Sequence, residues 1–251
     1  MICGSWIATG AGALETAAST PTAVDAELRA LEPRGFSGAI LWVSGDEVVL
    51  KKGYGFADRE ASRPVTADTI FDIGSITKAI AAAAIWKLEA DGKLSINDRI
   101  ARFFPDVPPD KAAITIDDLV RHTSGLDNIF GRDYDVVSRD WVLEKALSSK
   151  LLSPPGQTSR YSNAGYSLLA MIIEDVSGQR YEQYVHEDLI KPAGTPRIGY
   201  RAPRWAPDEL AVGYRNGKRW GTPLDSGLTM ARRGICAGTA ACWRTLATCT
   251  R

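Results

Sequence analysis

Ser75 and Lys78 stand three residues apart in a stretch, Phe71 to Leu88, that is nearly continuous apolar sequence. Residues at this spacing share one face of a helix, so a hydroxyl is brought beside an amine. Lys78 is the only charged residue between Asp72 and Lys87. Charging an amine among apolar neighbours costs desolvation free energy, which makes Lys78 a candidate proton acceptor. A hydroxyl relieved of its proton attacks carbonyl carbon, and the unpaired N–H groups of a helix N-terminus can stabilise the oxyanion that forms. Taken alone, the Ser-x-x-Lys spacing better fits a serine that caps a helix whose lysine reaches the surface.

A second group lies 86 residues downstream of Ser75. Tyr161, Ser162 and Asn163 fall between the loop Pro154, Pro155, Gly156 and an apolar helix beginning near Ala164. In an extended tripeptide the first and third side chains point the same way, so Tyr161 and Asn163 can face one cleft. A phenol beside an ammonium is favoured as phenolate, so Tyr161 can share proton traffic with Lys78, while Asn163 can donate to a substrate carbonyl. The alternatives are a tyrosine packed by its ring and an asparagine capping the next helix.

Several elements must hold these residues. Apolar Ala39 to Val43, a turn at Ser44 to Asp46, and Val48 to Leu50 running into Lys51 and Lys52 predict a β-hairpin over 38 to 55. The alanine-rich centre of the 71 to 88 stretch predicts a helix, buried because small residues on every side admit close neighbours and ended by Asp91 and Gly92. Downstream the sequence reads as mostly helical. Thr115 with Asp118 forms a capping-box start, Ser138 caps a segment through Leu147, Ala164 to Val176 stops at Gly178, and Tyr181 to Ile190 stops at Pro192.

Composition narrows the function classes. The chain has 251 residues, 45% hydrophobic and 24% charged, as a folded globular domain does. Lys plus Arg and Asp plus Glu are both 30, so no overall field draws it to nucleic acid or anionic lipid, and a small-molecule or short-peptide substrate fits better. No run of about 18 apolar residues suggests a transmembrane segment. Residues 1 to 19 are small and apolar without a basic start, and read either as the remnant of an export signal, implying a periplasmic or secreted protein, or as a leader of a cytoplasmic one. Cys3, Cys236, Cys242 and Cys249 include no C-x-x-C pair, and His122 and His186 are the only histidines, which argues against a zinc site.

The wording FDIGSITKAI, HTSGL and SPPGQTSRYSNAGYSLL resembles the tyrosine-type branch of the serine β-lactamase-related superfamily, which spans class C β-lactamases, D-alanyl-D-alanine carboxypeptidases and family VIII esterases. The resemblance covers roughly Gly35 to Tyr214. It implies an α+β fold of the β-lactamase/transpeptidase type, an antiparallel sheet with a helical domain. It also implies Ser75 as nucleophile, Lys78 and Tyr161 as the coupled general base, Asn163 as a substrate contact, and neither metal nor organic cofactor. The expected organisation is a leader and N-terminal helix over 1–34 and one domain over 35–251. Within that domain the hairpin region is 38–66, the mostly helical region carrying the site is 67–195, and an atypical C-terminal part is 196–251. The His122 to Leu126 segment also resembles a recurrent stretch of the superfamily, and its expected role is structural: a helix end turning through Gly125, with the histidine ring satisfied by backbone groups.

One departure bears on activity. Members carry a third motif, Lys or His, then Thr or Ser, then Gly, on a strand well after the tyrosine; no such triplet follows Asn163 here. The final stretch, ARRGICAGTAACWRTLATCTR, shows neither helical nor strand periodicity and reads as a truncated or frame-altered terminus. C-terminal sheet strands are therefore expected to be missing, leaving a hairpin edge open and one face of the alanine-rich helix uncovered. The sequence points to a serine hydrolase acting on ester, D-peptide or β-lactam carbonyls. The absence of an acidic residue adjacent to Asn163 tilts this slightly toward esters and peptides. The alternative is an inactive homologue that binds peptide or cell-wall ligands.

Overall fold

Gly45, at φ +59°, and Asp46 turn the chain back on itself where the sequence predicts a hairpin. In the computed structural model, which describes residues 20–128, 138–195, 197–200, 204–222 and 243–244, strands β1 (Gly38–Ser44) and β2 (Glu47–Tyr54) pair antiparallel. Gly38 lies opposite Tyr54 and Ser44 opposite Glu47. Helix α1 (Pro21–Leu31), capped by the Thr20 hydroxyl, buries none of its residues fully and is tied to β2 by polar contacts. The Asp25 carboxylate accepts from Lys52 Nζ at 2.6 Å and from the Tyr54 hydroxyl at 2.8 Å. Burial, then the Asp25 bond, pushes the Tyr54 phenol up to about 12.

Short strands follow. β3 (Phe56–Asp58) pairs with β4 (Arg63–Pro64). β5 (Phe71–Asp72), β6 (Ile198–Gly199), β7 (Gly213–Arg215), β8 (Lys218–Gly221) and β9 (Trp243–Arg244) complete the set among the described residues. β9 lies between β5 and β6, antiparallel to both, and β7 pairs with β8. Strand pairing at Trp243–Arg244 was not legible in the terminal sequence. The four cysteines and the rest of the 223–251 stretch lie outside the described residues.

The predicted helix over Phe71 to Leu88 starts later than its apolar composition suggests. Phe71 and Asp72 are strand, Asp72 Oδ1 accepts the Gly74 N–H at 2.8 Å, and Gly74 sits at φ +49°, a combination that ends the extended run and turns the chain. A 3₁₀ turn over Gly74–Ile76 then leads into α2 (Thr77–Ala90), which ends at Asp91 and Gly92 as expected. α2 is not enclosed on every side. Ala81, Ala84, Ile85 and Leu88 are fully buried, whereas Trp86 is half-exposed.

The remaining helices follow their local signals. Thr115 and Asp118 form a complete capping box for α3 (Ile116–Val120), and the Ser138 hydroxyl caps α4 (Arg139–Ser148). α5 (Asn163–Ser177) is capped by Ser162 and ends at Gly178, φ +69°. α6 (Tyr181–Tyr184) continues into a π-helical turn over Val185–Ile190. Residues 164 to 173 of α5 are buried without interruption, and α5 is the centre of the core, packed by α2, α3, α4 and α6. None of the described helices is long and apolar enough to cross a membrane.

Candidate active site

Ser75 lies on the 3₁₀ turn that opens into α2, and Lys78 on the first turn of that helix. Their spacing does what a helix requires: Lys78 Nζ donates to Ser75 Oγ at 3.2 Å. Lys78 is 6% exposed, so its ammonium is held in low-dielectric surroundings with its charge aimed at the serine. Around it stand two aromatic faces, the ring centroids of Tyr161 and Tyr166 at 4.8 and 5.6 Å from Nζ.

Tyr161 reaches the same serine from the other side of the cleft, its hydroxyl bonding Ser75 Oγ at 2.7 Å. Ser75 Oγ is thus the meeting point of an amine and a phenol that lie 3 and 86 positions away in sequence. Ser162 is extended, with φ −139° and ψ 116°, which turns its own side chain inward while Tyr161 stays 44% exposed. The cap of α5 is Ser162, whose Oγ accepts the Gly165 N–H at 3.1 Å, so Asn163 is not the capping residue. Asn163 N–H donates to the Asn128 carbonyl and side-chain oxygens, both at 3.1 Å, and among the described residues its own Oδ1 is buried without a hydrogen-bond partner.

Two loops hold the tyrosine in place. Segment 122 to 125 runs beside segment 152 to 160, joined by Leu152 N–H to the Gly125 carbonyl (2.8 Å), Gly156 N–H to the Thr123 carbonyl (2.9 Å) and Arg160 N–H to the His122 carbonyl (2.8 Å). Gly125 sits at φ +74°, and a Cβ there would lie 2.0 Å from the Ser153 carbonyl oxygen, so only glycine admits this approach. Asp118 anchors the loop to α3: its carboxylate accepts from the Thr115 N–H and hydroxyl and from the Thr123 hydroxyl.

His122 has the backbone-satisfied role expected of it, with Nδ1 accepting the Ser162 N–H at 3.1 Å. Its ring packs at a tilt against those of Tyr161 and Tyr166, at centroid distances of 4.7 and 4.9 Å. Burial, and after it the positive charge of Lys78, holds the imidazole below its ordinary 6.5. The ring is therefore neutral at pH 7, with its proton on Nε2 because Nδ1 accepts. His186 lies in the π-helical turn, with Nε2 4.0 Å from the Glu187 carboxylate.

Sequence reasoning passed over Tyr166 as a site residue. It is 5% exposed, donates its hydroxyl to the Val120 carbonyl at 2.9 Å and touches both Lys78 and His122. Its position on the first turns of α5, five residues after Tyr161, is the signal that was available. Among the described residues no group of three or more His, Cys, Asp or Glu is arranged to hold a metal ion.

A family model described as Beta-lactamase matches residues 24–248. The chain belongs to the beta-lactamase family. The Bacillus subtilis protein PbpX is 35% identical over 194 residues, covering 77% of this chain and 49% of PbpX. A penicillin-binding protein from Bacillus halodurans superposes with a TM-score of 0.72 at 28% identity, covering 87% of this chain and 70% of that one. The octameric penicillin-binding protein homologue from Pyrococcus abyssi gives 0.70 at 26%, covering 92% and 54%. The chain spans half the length or less of the curated relatives it matches. Its fold is α+β, with antiparallel strand pairs and a helical region of the β-lactamase/transpeptidase kind.

Proposed function

We propose that this chain is a serine hydrolase that works through an acyl-enzyme on ester, D-peptide or β-lactam carbonyls of small molecules or short peptides. The observation that carries the reading is the convergence of Lys78 Nζ and the Tyr161 hydroxyl on Ser75 Oγ, at 3.2 and 2.7 Å. Ser75 Oγ attacks the carbonyl carbon while its proton passes to the coupled Lys78 and Tyr161 pair acting as general base. That proton then goes to the departing alcohol or amine as the carbonyl carbon's bond to it breaks. Water, losing a proton to the same pair, attacks the acyl carbon; the carbon's bond to Ser75 Oγ breaks and that oxygen takes the proton back. Asn163, at the start of α5 beside Tyr161, is the proposed contact for the substrate carbonyl. The whole machinery falls within 35–251, the stretch we read as one domain.

A second reading has its own observation. No Lys or His, Thr or Ser, Gly triplet follows Asn163 in the sequence. In the family that this chain resembles, the strand carrying the triplet supplies an oxyanion donor, and a site without such a donor, slower by about two to three orders of magnitude, would bind such ligands and barely turn them over. Turnover of a short-chain p-nitrophenyl ester panel, a D-alanyl-D-alanine peptide and a chromogenic cephalosporin decides between them. The hydrolase reading expects release from at least one class that vanishes in Ser75→Ala. Binding without release in all three sinks it in favour of the binding module.

A further inference from the structure

The segment carrying Tyr161 is held by a single residue on both of its sides. Arg160 N–H donates to the His122 carbonyl at 2.8 Å and Ser162 N–H donates to His122 Nδ1 at 3.1 Å. The amides of the residues before and after Tyr161 are therefore both bonded to His122. The His122 ring also packs at a tilt against the Tyr161 ring, 4.7 Å between centroids, and against Tyr166, which is anchored to Val120. His122 itself adopts φ +60°, a left-handed conformation that is uncommon outside glycine and persists only where the surroundings determine it.

We propose that His122 is the positioning residue for Tyr161, clamping the backbone before and after it and bracing its ring so that the phenol meets Ser75, while transferring no proton itself. The inference rests on the hydrolase reading for its consequence in rate, and on geometry alone for the clamp. A phenol on an exposed loop samples many rotamers. One whose neighbouring amides are both bonded and whose ring is packed against a fixed partner keeps its oxygen within bonding distance of the nucleophile. A side chain that accepts through Nδ1 has that nitrogen's lone pair already engaged, which is why the role is placement and not general base.

Two substitutions separate the clamp from simple folding. His122→Gly keeps the left-handed backbone without steric cost and removes both the acceptor nitrogen and the ring. His122→Asn tolerates the same backbone and returns an acceptor oxygen near the place of Nδ1. Hydrogen exchange of the Ser162 amide, read by NMR with the Arg160 amide as internal control, reports the clamp. Acylation by a p-nitrophenyl ester, read from the p-nitrophenolate released in the first turnover and resolved into maximal rate and half-saturation concentration, reports placement. In His122→Gly the Ser162 amide is expected to exchange at least about tenfold faster with Arg160 little changed. The maximal acylation rate is expected to fall on the order of ten- to a hundredfold, with half-saturation nearly unmoved. His122→Asn restores Ser162 protection and most of the rate. An unchanged Ser162 amide in His122→Gly overturns the clamp, and a lost clamp with an unchanged acylation rate overturns positioning. A folded wild-type protein that does not acylate sinks the hydrolase reading instead, and Ser162 exchange still upholds or overturns the clamp.

Discussion

The helical block and the N-terminal hairpin are held together by different means. In the block, Leu168, Leu169, Met171 and Ile172 of α5 share one core cluster with Ala81, Ile85 and Leu88 of α2, with no exposure at all. In the hairpin no residue of β1 is buried, Val43 and Val48 are each 43% exposed, and attachment to α1 runs through the Asp25 carboxylate bonded to Lys52 and Tyr54. Among the described residues β1 and β2 pair only with each other. Two strands alone are marginal in water. The candidate site draws its precision from the block: Lys78 from α2, Tyr161 from the lead-in to α5, and His122 from the end of α3. The hairpin contributes none of these groups.

Core truncation should therefore cost most where the site is built. Leu168→Ala is expected to lose about 2–5 kcal/mol, since it leaves a cavity among residues that cannot all close in. Denaturant titration checks it, and a loss below about 1 kcal/mol would mean that α5 is less tightly packed than its burial implies. An effect of intermediate size concerns pH. His122 is held below its ordinary value of 6.5 in the folded protein, so between the folded and unfolded values the unfolded chain binds more protons. This contribution to stability is complete above pH 6.5 and is lost as pH falls through the folded value. Wild type should lose stability on acidification below pH 6.5 more steeply than His122→Asn, and equal slopes would contradict a buried neutral imidazole. The smallest effect belongs to the hairpin: Val48→Ala should change stability by no more than about 0.5 kcal/mol. A change comparable with that of Leu168→Ala would erase the contrast between the two regions.

How much was legible in the sequence depended on how local the cause was. The capping box at Thr115 and Asp118, the Ser138 cap and the stop at Gly178 rest on bonds within a few residues, and each is where the residue types indicate. The start of α2 was misjudged because the turn depends on the Asp72 carboxylate bonding Gly74, and because Phe71 and Asp72 pair with residues more than 170 positions away. Apolar composition carries no information about either. The Ser75 and Lys78 contact follows from helical spacing, whereas Tyr161 could be joined to them only through its resemblance to a known motif. Asp118 was read as a cap, but its second role, holding Thr123 and with it the loop of His122, exists only in the folded chain.

The central claim is that Ser75 is the nucleophile, activated by the two groups that converge on its oxygen. Intact-mass and peptide mass spectrometry after incubation of the folded protein with a fluorophosphonate, and separately with a penicillin, tests it most directly. The account predicts one adduct on the peptide containing Ser75, absent in Ser75→Ala and formed much more slowly in Lys78→Ala and Tyr161→Phe. An adduct at any other serine, or none on a protein shown to be folded, would contradict it.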